Sequence, residues 1–234
     1  MIPRLGEAPD APFPDPESAL ETPDGLLAWG GGLEPQRLLR AYRSGIFPWY
    51  SDDDPILWWS PADRCVIPTD GVHVSRRLAR TLKQSPYRLT MDCAFGPVLQ
   101  ACGHSRESTW ITPAMERAYQ QLHELGYAHS IEAWDGEELA GGLYGVSLGR
   151  CFFGESMFSA QRDASKVVLV QLCRVLSSWA FPVMDCQVHN PHLSSMGAIN
   201  LPRPAFLKQV RRLAVAPDRR GPWTQAFAEA QEAL

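Results

Sequence analysis

A chain of 234 residues can bury a substantial core, and its 45% hydrophobic and 21% charged residues are typical of a globular protein. The formal net charge of −4 excludes a nucleic-acid partner held by overall charge, so such a partner needs a local basic patch. No apolar run is long enough to span a membrane, and the Pro- and acid-rich N-terminus differs from a signal peptide, so we expect a cytoplasmic protein.

The first part of the chain is rich in turns and contains one short predicted helix. Prolines recur through residues 1–20, which are expected to form an extended lead-in on the surface. A Glu-Pro pair at residues 34–35 begins the helix, and Gly45 ends it in a left-handed conformation. The best domain boundary then falls near residues 60–65.

Trp49, Trp58 and Trp59 stand close together after this helix. Three indole rings exceed what a small layer needs for packing, and aromatic clusters of this kind can stack on nucleobases. More often such rings simply belong to a core, and the sequence by itself leaves both interpretations open.

Residues 75–84 predict a helix with one basic face. Arg76, Arg80 and Lys83 recur at i, i+4 and i+7, while the leucines fall on the opposite side. A charged helix face is usually only solvated. Because no acidic residue lies within residues 71–91, this face of a single sign favours contact with a phosphate backbone.

From about residue 86 the pattern mixes strands and helices. Strand-like segments span residues 87–91, 130–134, 139–148, 151–158 and 181–188, and a turn at Gly149 and Arg150 joins two of them as a hairpin. Helix-like segments span residues 95–102, 113–125, 202–213 and 223–234, together with a helix that Asp163 is expected to cap. These segments predict an α+β fold.

One predicted strand carries a carboxylate between large apolar residues. Side chains alternate along a strand, so Phe153, Glu155 and Met157 are expected to share a face. Such a face is suited to hold a small amphiphile by its ammonium group and its apolar side chain. A core strand whose Glu pairs with Arg or Lys is an equally weighted alternative.

A second predicted strand repeats this logic. Asp185 and Gln187 are expected on one face and Cys186 on the other, which makes the thiol a weak candidate nucleophile. A carboxylate beside a neutral amide is suited to hold an amine in position. The alternative is a polar pair that satisfies backbone groups at the end of a sheet.

The cysteines and histidines indicate no metal or redox centre. None of the six cysteines forms a Cys-x-x-Cys pair, and cytoplasmic cysteines are mostly reduced. His189 and His192 have no third ligand at helical or hairpin spacing, so we predict no metal site.

Short motifs follow one another along most of the chain. They are Asp24-Gly25-Leu26-Leu27-Ala28, Gly45-Ile46-Phe47-Pro48-Trp49, Leu57-Trp58-Trp59-Ser60-Pro61, Thr109-Trp110-Ile111-Thr112, His129-Ser130-Ile131-Glu132, Gly141-Gly142-Leu143-Tyr144-Gly145, Gly154-Glu155-Ser156-Met157-Phe158-Ser159, Ala164-Ser165-Lys166 and Asp185-Cys186-Gln187. With these motifs in this order, the chain resembles the bacterial leucyl/phenylalanyl-tRNA–protein transferases. Gly32 departs from the family pattern, which usually has an acidic residue there, and Leu172 stands at a helix position where relatives can carry a bulkier aromatic residue.

The resemblance implies a small N-terminal α/β domain over residues 1–62 and an acetyltransferase-like (GNAT) mixed-sheet domain over residues 63–234. It implies transfer of Leu or Phe, and less readily Met, from aminoacyl-tRNA to the α-amino group of an N-terminal Arg or Lys of a protein. The reaction is the aminolysis of an ester, and it marks the acceptor for degradation by the N-end rule. We expect no cofactor, because the turn at residues 159–163 lacks the glycines on which acetyltransferases hold coenzyme A.

The resemblance also assigns roles to residues. Glu155 matches the residue that holds the donor's ammonium group, and Asp185 and Gln187 match the catalytic pair that polarises the acceptor amine. The expected side-chain pocket consists of Met157, Leu169, Leu172 and Met184, the residues at the terminal adenosine are Trp49 and Trp110, and the tRNA-binding residues are Arg76, Arg80 and Lys83. No heptad or apolar stripe indicates a partner surface, so we expect a monomer.

The sequence leaves two other functions open. A non-catalytic module would use Glu155 to grip the N-terminal amine of a protein and would bind peptide without turnover. An acetyl-coenzyme A transferase is disfavoured by the missing glycine-rich turn.

Overall fold

The computed structural model describes residues 2–84, 86–104 and 110–233. In that part of the chain the strands are β1 (Arg4–Leu5), β2 (Leu26–Gly30), β3 (Phe47–Pro48), β4 (Leu57–Trp59), β5 (Asp63–Pro68), β6 (Arg88–Met91), β7 (Ala128–Asp135), β8 (Glu138–Leu148), β9 (Cys151–Ser159), β10 (Val183–Gln187) and β11 (Ile199–Pro202). The helices are α1 (Pro35–Arg43), α2 (Arg76–Gln84), α3 (Phe95–His104), α4 (Pro113–Glu124), α5 (Ala164–Ser178), α6 (Pro191–Ser195), α7 (Arg203–Leu213) and α8 (Thr224–Ala233).

The strands form two sheets. The smaller has four strands in the order β1-β2-β4-β3, and the larger has seven in the order β11-β5-β10-β9-β8-β7-β6. In the larger sheet β9 and β10 run parallel, whereas the other neighbouring pairs are antiparallel. This mixture of helices and mainly antiparallel sheets confirms the predicted α+β class, and the likeness to acetyltransferases stays a prediction.

Arginines of α1 hold the N-terminal lead-in on the surface. Arg37, which is fully buried, donates hydrogen bonds of 2.6–3.2 Å to the carbonyls of residues 6–8. Arg40 donates to the carbonyls of residues 9–11 at 2.6–2.9 Å. Residues 2–20 lie along the surface as predicted, mostly extended but with the strand β1 and one 3-10 helical turn at Pro16–Ser18. The arginine side chains pair the carbonyls of residues 6–11, which lie outside the strands.

The predicted boundary near residue 62 coincides with a change of sheet. β4 belongs to the smaller sheet, and β5 begins the larger one. One core cluster nevertheless joins both parts, because Leu38 and Tyr42 pack in the same cluster as Tyr119 and Phe153. The division into two domains therefore stays a prediction.

Helices cover both faces of the larger sheet. Residues of α1, α3, α4 and α7 belong to the core cluster on one face, which we call the N-terminal-side core. Residues of α2, α5 and α8 belong to the cluster on the opposite face, which we call the α5-side core. α5 is apolar around most of its circumference, as expected of a helix that lies within the protein.

The helices predicted from 3.6-residue periodicity are confirmed, with ends that differ by a few residues. The strands β1 to β5 and the short elements α6 and β11 were not predicted, because segments of two to six residues carry too little periodicity to detect. Asp163 does stand at the N-cap position of α5, but its side chain makes no capping hydrogen bond. Its carboxylate instead pairs with Arg77 of α2 at 3.2 Å.

Candidate active site

The candidate site lies where the parallel strands β9 and β10 separate. Residues 151–153 of β9 pair with residues 183–185 of β10, and the pairing of the two strands ends there. At this point each strand is bulged on its other side, with Glu155 as the extra residue of β9 and Cys186 as the extra residue of β10. Bulges are typical of places where a sheet re-aims side chains, and here they line the gap between the strands.

The bulge in β9 corrects one prediction from strand alternation. Phe153 packs in the N-terminal-side core, where its ring lies 5.0 Å from that of Tyr42, whereas Met157 packs against the α5-side core. The two side chains therefore lie on opposite faces, not on the shared face that alternation predicted. One inserted residue shifts the pattern, because the side-chain period of a strand is two.

The Glu155 carboxylate lies in this gap and accepts three hydrogen bonds. Its Oε1 accepts from the Tyr42 hydroxyl at 2.8 Å and from Nε2 of Gln187 at 2.9 Å. Its Oε2 is 2.8 Å from the Tyr119 hydroxyl, which donates to it, and the two tyrosine hydroxyls also contact each other. Each hydroxyl carries a single hydrogen, so all three contacts are hydrogen bonds at once only when the Glu155 carboxyl group is protonated. All of these donors are neutral, so the predicted alternative of a core Glu paired with Arg or Lys is not what the structure contains.

Burial changes the protonation of this cluster. It raises the pKa of Glu155 to about 7, although the hydrogen bonds from Tyr119 and Tyr42 act in the opposite direction. Burial and the nearby carboxylate raise the pKa of both tyrosines well above the ordinary value, so their hydroxyls remain donors. The site thus presents a carboxyl group that gains or loses its proton near neutral pH.

Asp185 holds the main chain beside this carboxyl group. The Oδ1 of Asp185 accepts from the backbone N–H of Gln187 at 2.9 Å, and Gln187 adopts a left-handed conformation with φ of 57°. Arg64 donates to both oxygens of the aspartate, at 2.9 Å from Nε and 2.8 Å from Nη2. Asp185 is completely buried, so it acts on Gln187 through the backbone rather than by reaching the cavities.

An aromatic cavity opens on one side of the contact between Glu155 and Gln187. Its walls are Phe47, Pro48, Trp49, Trp110, Glu155, Cys186, Gln187 and Val188. The structure thus brings together both tryptophans predicted to contact the adenosine, and Trp49 remains 44% exposed. Trp58, by contrast, is fully buried in the core.

An apolar cavity opens on the other side of the same contact. Its walls are Leu143, Gly154, Glu155, Ser156, Met157, Met184, Cys186, Gln187, Asn190 and Leu193. Of the predicted side-chain pocket, Met157 and Met184 line this cavity. Leu169 and Leu172 are completely buried in the α5-side core together with Met184, so they stand behind the wall rather than in it.

The predicted basic face lies on α2, on the same side of the sheet as the apolar cavity. Arg76, Arg80 and Lys83 are exposed, while Leu78 is buried in the α5-side core and seats the helix. Within the described residues these three cations make no ion pair. Arg77, on the flank, is the residue of this helix that pairs with Asp163.

Sequence reasoning missed the hydroxyl donors and the arginine of this site. Tyr42 and Tyr119 occupy the apolar stripes of α1 and α4, where a tyrosine looks like any other core residue. Leu143, Asn190 and Leu193 were not predicted to line a pocket, because their approach depends on how β8 and the α6 segment pack against β9 and β10. Nothing in the sequence indicated a role for Arg64, since its partner Asp185 lies 121 positions later in the chain.

The described residues contain no group of three or more His, Cys, Asp or Glu side chains that would hold a metal ion. None of the helices in that part is long and apolar enough to cross a membrane. Thr109, at the start of one sequence motif, lies outside the described residues.

Comparison with known proteins identifies the family. A model described as leucyl/phenylalanyl-tRNA protein transferase matches residues 66–211, and a model of the N-terminal domain of that transferase matches residues 31–62. The chain belongs to this family. The resemblance inferred from the ordered motifs is thereby confirmed.

Individual relatives agree with this family. A leucyl/phenylalanyl-tRNA–protein transferase of Xanthomonas oryzae pv. oryzae (strain MAFF 311018) is 52% identical over 229 residues, which cover 96% of this chain and 92% of the relative. One of Alkalilimnicola ehrlichii is 52% identical over 219 residues, which cover 92% of this chain and 85% of the relative. L-PGS from Bacillus licheniformis superposes with a TM-score of 0.38 at 9% identity, over 64% of this chain and 50% of that one, which is too weak to bear on the fold.

Proposed function

We propose that this protein transfers Leu or Phe, and less readily Met, from aminoacyl-tRNA to the α-amino group of an N-terminal Arg or Lys of a protein. The observation that carries the proposal is the Glu155 carboxyl group, which lies between an aromatic and an apolar cavity and touches the Gln187 amide. A tRNA-using transferase works where aminoacyl-tRNA is made, so we expect it in the cytoplasm, and its product would enter N-end-rule degradation.

The donor binds across the contact between the two cavities. The α-ammonium group of the aminoacyl ester pairs with Glu155, whose pKa, raised by burial to about 7, falls when a cation arrives. The unbranched or aromatic side chain enters the apolar cavity beside Met157 and Met184, and the terminal adenosine stacks against Trp49 and Trp110. An apolar wall discriminates one methylene by only about 1–3 kcal/mol, so β-branched residues must be rejected by shape.

The chemistry is aminolysis of an activated ester. The neutral acceptor amine attacks the ester carbonyl, a C–N bond forms, the amine loses a proton, and the C–O bond to the tRNA ribose breaks as the 3′-terminal hydroxyl is released. A free α-amine has a pKa of roughly 7.7–8.0, so orientation matters more than a strong base. Nε2 of Gln187 donates to Glu155, which leaves the amide oxygen to accept an N–H from the attacking amine.

The tRNA backbone contacts the α2 face formed by Arg76, Arg80 and Lys83. These exposed side chains supply the local basic patch that an acidic protein needs to hold nucleic acid. The contacts are to phosphates, so they position the tRNA without reading its bases.

The direct test supplies radiolabelled Phe-tRNA and a protein that begins with Arg. We expect label on the acceptor that resists RNase and acid, because a peptide bond survives both. The matched control is the same acceptor with its α-amine acetylated, which should remain unlabelled. A protein that binds the Arg peptide but never transfers label would overturn the proposal in favour of a binding module.

The catalytic assignment is tested by Gln187→Ala. The amide contacts the reacting amine rather than the tRNA body, so single-turnover transfer should fall by about 10²-fold, as expected when a reacting group loses its orientation. The affinity for Phe-tRNA should change little. Equal losses in transfer rate and tRNA affinity would remove Gln187 from catalysis.

The tRNA face is tested by reversing two of its charges, Arg80→Glu with Lys83→Glu. Phe-tRNA affinity should drop, and the slope of log affinity against log salt should shrink by about 1–2. The matched control is the same reversal at Arg211 and Arg212 of α7, which are exposed on the opposite side of the sheet. A salt slope equal to that of the unaltered protein would take α2 out of the interface.

A further inference from the structure

Arg64 of β5 is a fully enclosed cation directly behind the candidate site. It is 1% exposed, and its fork makes two parallel hydrogen bonds with the Asp185 carboxylate, at 2.9 Å and 2.8 Å. Buried ion pairs of this kind contribute little net stability compared with apolar residues of the same volume. The geometry of Arg64 is therefore better explained by the groups that this residue holds in place than by a contribution to stability.

Aromatic rings fix the plane of this fork. The guanidinium carbon lies 4.6 Å from the ring centre of Phe47 and 4.6 Å from that of Phe206. A third contact comes from Nη1, which donates to the carbonyl of Gly45 at 3.2 Å. Phe47 belongs to the wall of the aromatic cavity, so the same ring connects the arginine to the substrate side.

The connection continues from the arginine to the reacting amide. The Oδ1 of Asp185 receives both Nε of Arg64 and the backbone N–H of Gln187, each at 2.9 Å. Gln187 has a φ of 57°, a conformation that residues other than glycine adopt only at a cost and that persists where surrounding contacts impose it. From this backbone position the Gln187 amide reaches Glu155 at 2.9 Å.

We infer that Arg64 is a positioning residue for aminoacyl transfer, which acts on the Gln187 amide through Asp185 and the Gln187 backbone. The inference rests on the proposed function, in which that amide contacts the acceptor amine. Arg64 itself touches neither substrate. The orientation of its guanidinium group, rather than its charge alone, keeps the Gln187 amide close to the reacting amine.

The informative substitution is Arg64→Lys, which keeps the positive charge but removes the planar fork. We expect the single-turnover rate at saturating Phe-tRNA to fall by about 10- to 100-fold, because a misplaced reacting group costs up to about 10²-fold. Affinity for Phe-tRNA should stay within about twofold, since its contacts lie elsewhere. This split separates positioning from general damage to the fold.

A double-mutant cycle identifies the route. If Arg64 acts through the amide, Arg64→Lys should change the rate by less than about twofold once Gln187→Ala is present. Independent losses that multiply in the double variant would overturn the inference. So would an Arg64→Lys variant that transfers at the rate of the unaltered protein.

Arg37→Lys is the matched control, because Arg37 is also completely buried but binds the lead-in carbonyls instead of the site. It should lower thermal stability without changing the transfer rate; a rate loss equal to that of Arg64→Lys would overturn the inference.

If Arg64→Lys fails to fold, Phe206→Leu loosens the fork while leaving the ion pair, and the same cycle is run with it. No transfer by the unaltered protein would instead refute the proposed function itself.

Discussion

Two glutamates of the larger sheet, Glu155 on β9 and Glu132 on β7, have similar hydrogen-bond partners and different access to solvent, because Glu155 is half-buried and Glu132 is completely buried. Glu132 accepts hydrogen bonds from the hydroxyls of Thr90 and Ser130, and burial raises its pKa to about 6. Glu155 accepts from two tyrosine hydroxyls and an amide, and burial raises its pKa to about 7. Neither carboxyl group forms an ion pair with Lys or Arg among the described residues.

The difference lies in what each carboxyl group faces. Glu132 is completely buried, and its partners on β6 and β7 close its surroundings. Glu155 lines two cavities, because β9 and β10 part beside it. A raised pKa is therefore not enough to identify a functional carboxyl group in this protein. Access to a cavity distinguishes the candidate site from a satisfied polar cluster in the sheet.

The largest expected difference between the two glutamates is in transfer activity after each is replaced by glutamine. Glu155→Gln loses the charged grip on the donor ammonium, so kcat/KM for Phe-tRNA should fall by about 10- to 100-fold, equivalent to the ~1.5–3 kcal/mol of a hydrogen bond to a charged group. Glu132→Gln is the matched control and should transfer within about twofold of the unaltered protein. If the two variants lose activity equally, access to a cavity does not distinguish the functional glutamate from the one in the sheet interior.

A smaller effect is expected on the pH dependence of the free energy of unfolding. The folded pKa values, about 6 for Glu132 and about 7 for Glu155, exceed the ordinary value of 4.5. Between the ordinary and the folded pKa the folded state keeps a proton that the unfolded chain has released, so each group lowers stability as pH rises through that interval.

The glutamine variants lack this proton. Urea unfolding from about pH 4.5 to pH 8 should show a flatter decline in stability up to about pH 6 for Glu132→Gln and up to about pH 7 for Glu155→Gln. Identical pH profiles for both variants and the unaltered protein would contradict the raised pKa values.

The smallest effect is expected from removing one hydroxyl. Tyr119→Phe deletes a hydrogen bond that lowers the pKa of Glu155, so that pKa should rise and the increase of kcat/KM with pH should shift to higher pH. Below neutral pH the variant should be slower by about 2- to 10-fold, the equivalent of one ordinary hydrogen bond. Thr90→Val, which deletes a donor to Glu132, should leave the pH profile of transfer unchanged. A profile for Tyr119→Phe that does not move would show that this hydroxyl leaves the Glu155 proton unaffected.

Much of the site was predictable because some signals are local. The basic face of α2 follows from helical periodicity, and the strands that carry Glu155 and Gln187 follow from aromatic and apolar runs bounded by turns. The pocket walls were less predictable. Met157 and Met184 line the apolar cavity as expected, whereas Leu172 lies in the core behind it, because depth within a packed interior has no signature in the order of residues.

The sequence by itself determined the α+β class, the order of the main elements from β6 onward and, through its ordered motifs, the family. Only the tertiary structure decided which side chains meet. The bulge in β9 sends Phe153 and Met157 to opposite faces, and packing brings Tyr42 and Tyr119 to Glu155 and Arg64 to Asp185. Periodicity describes neighbours along one element, whereas these contacts join elements far apart in the chain and depend on how the sheet and its helices pack.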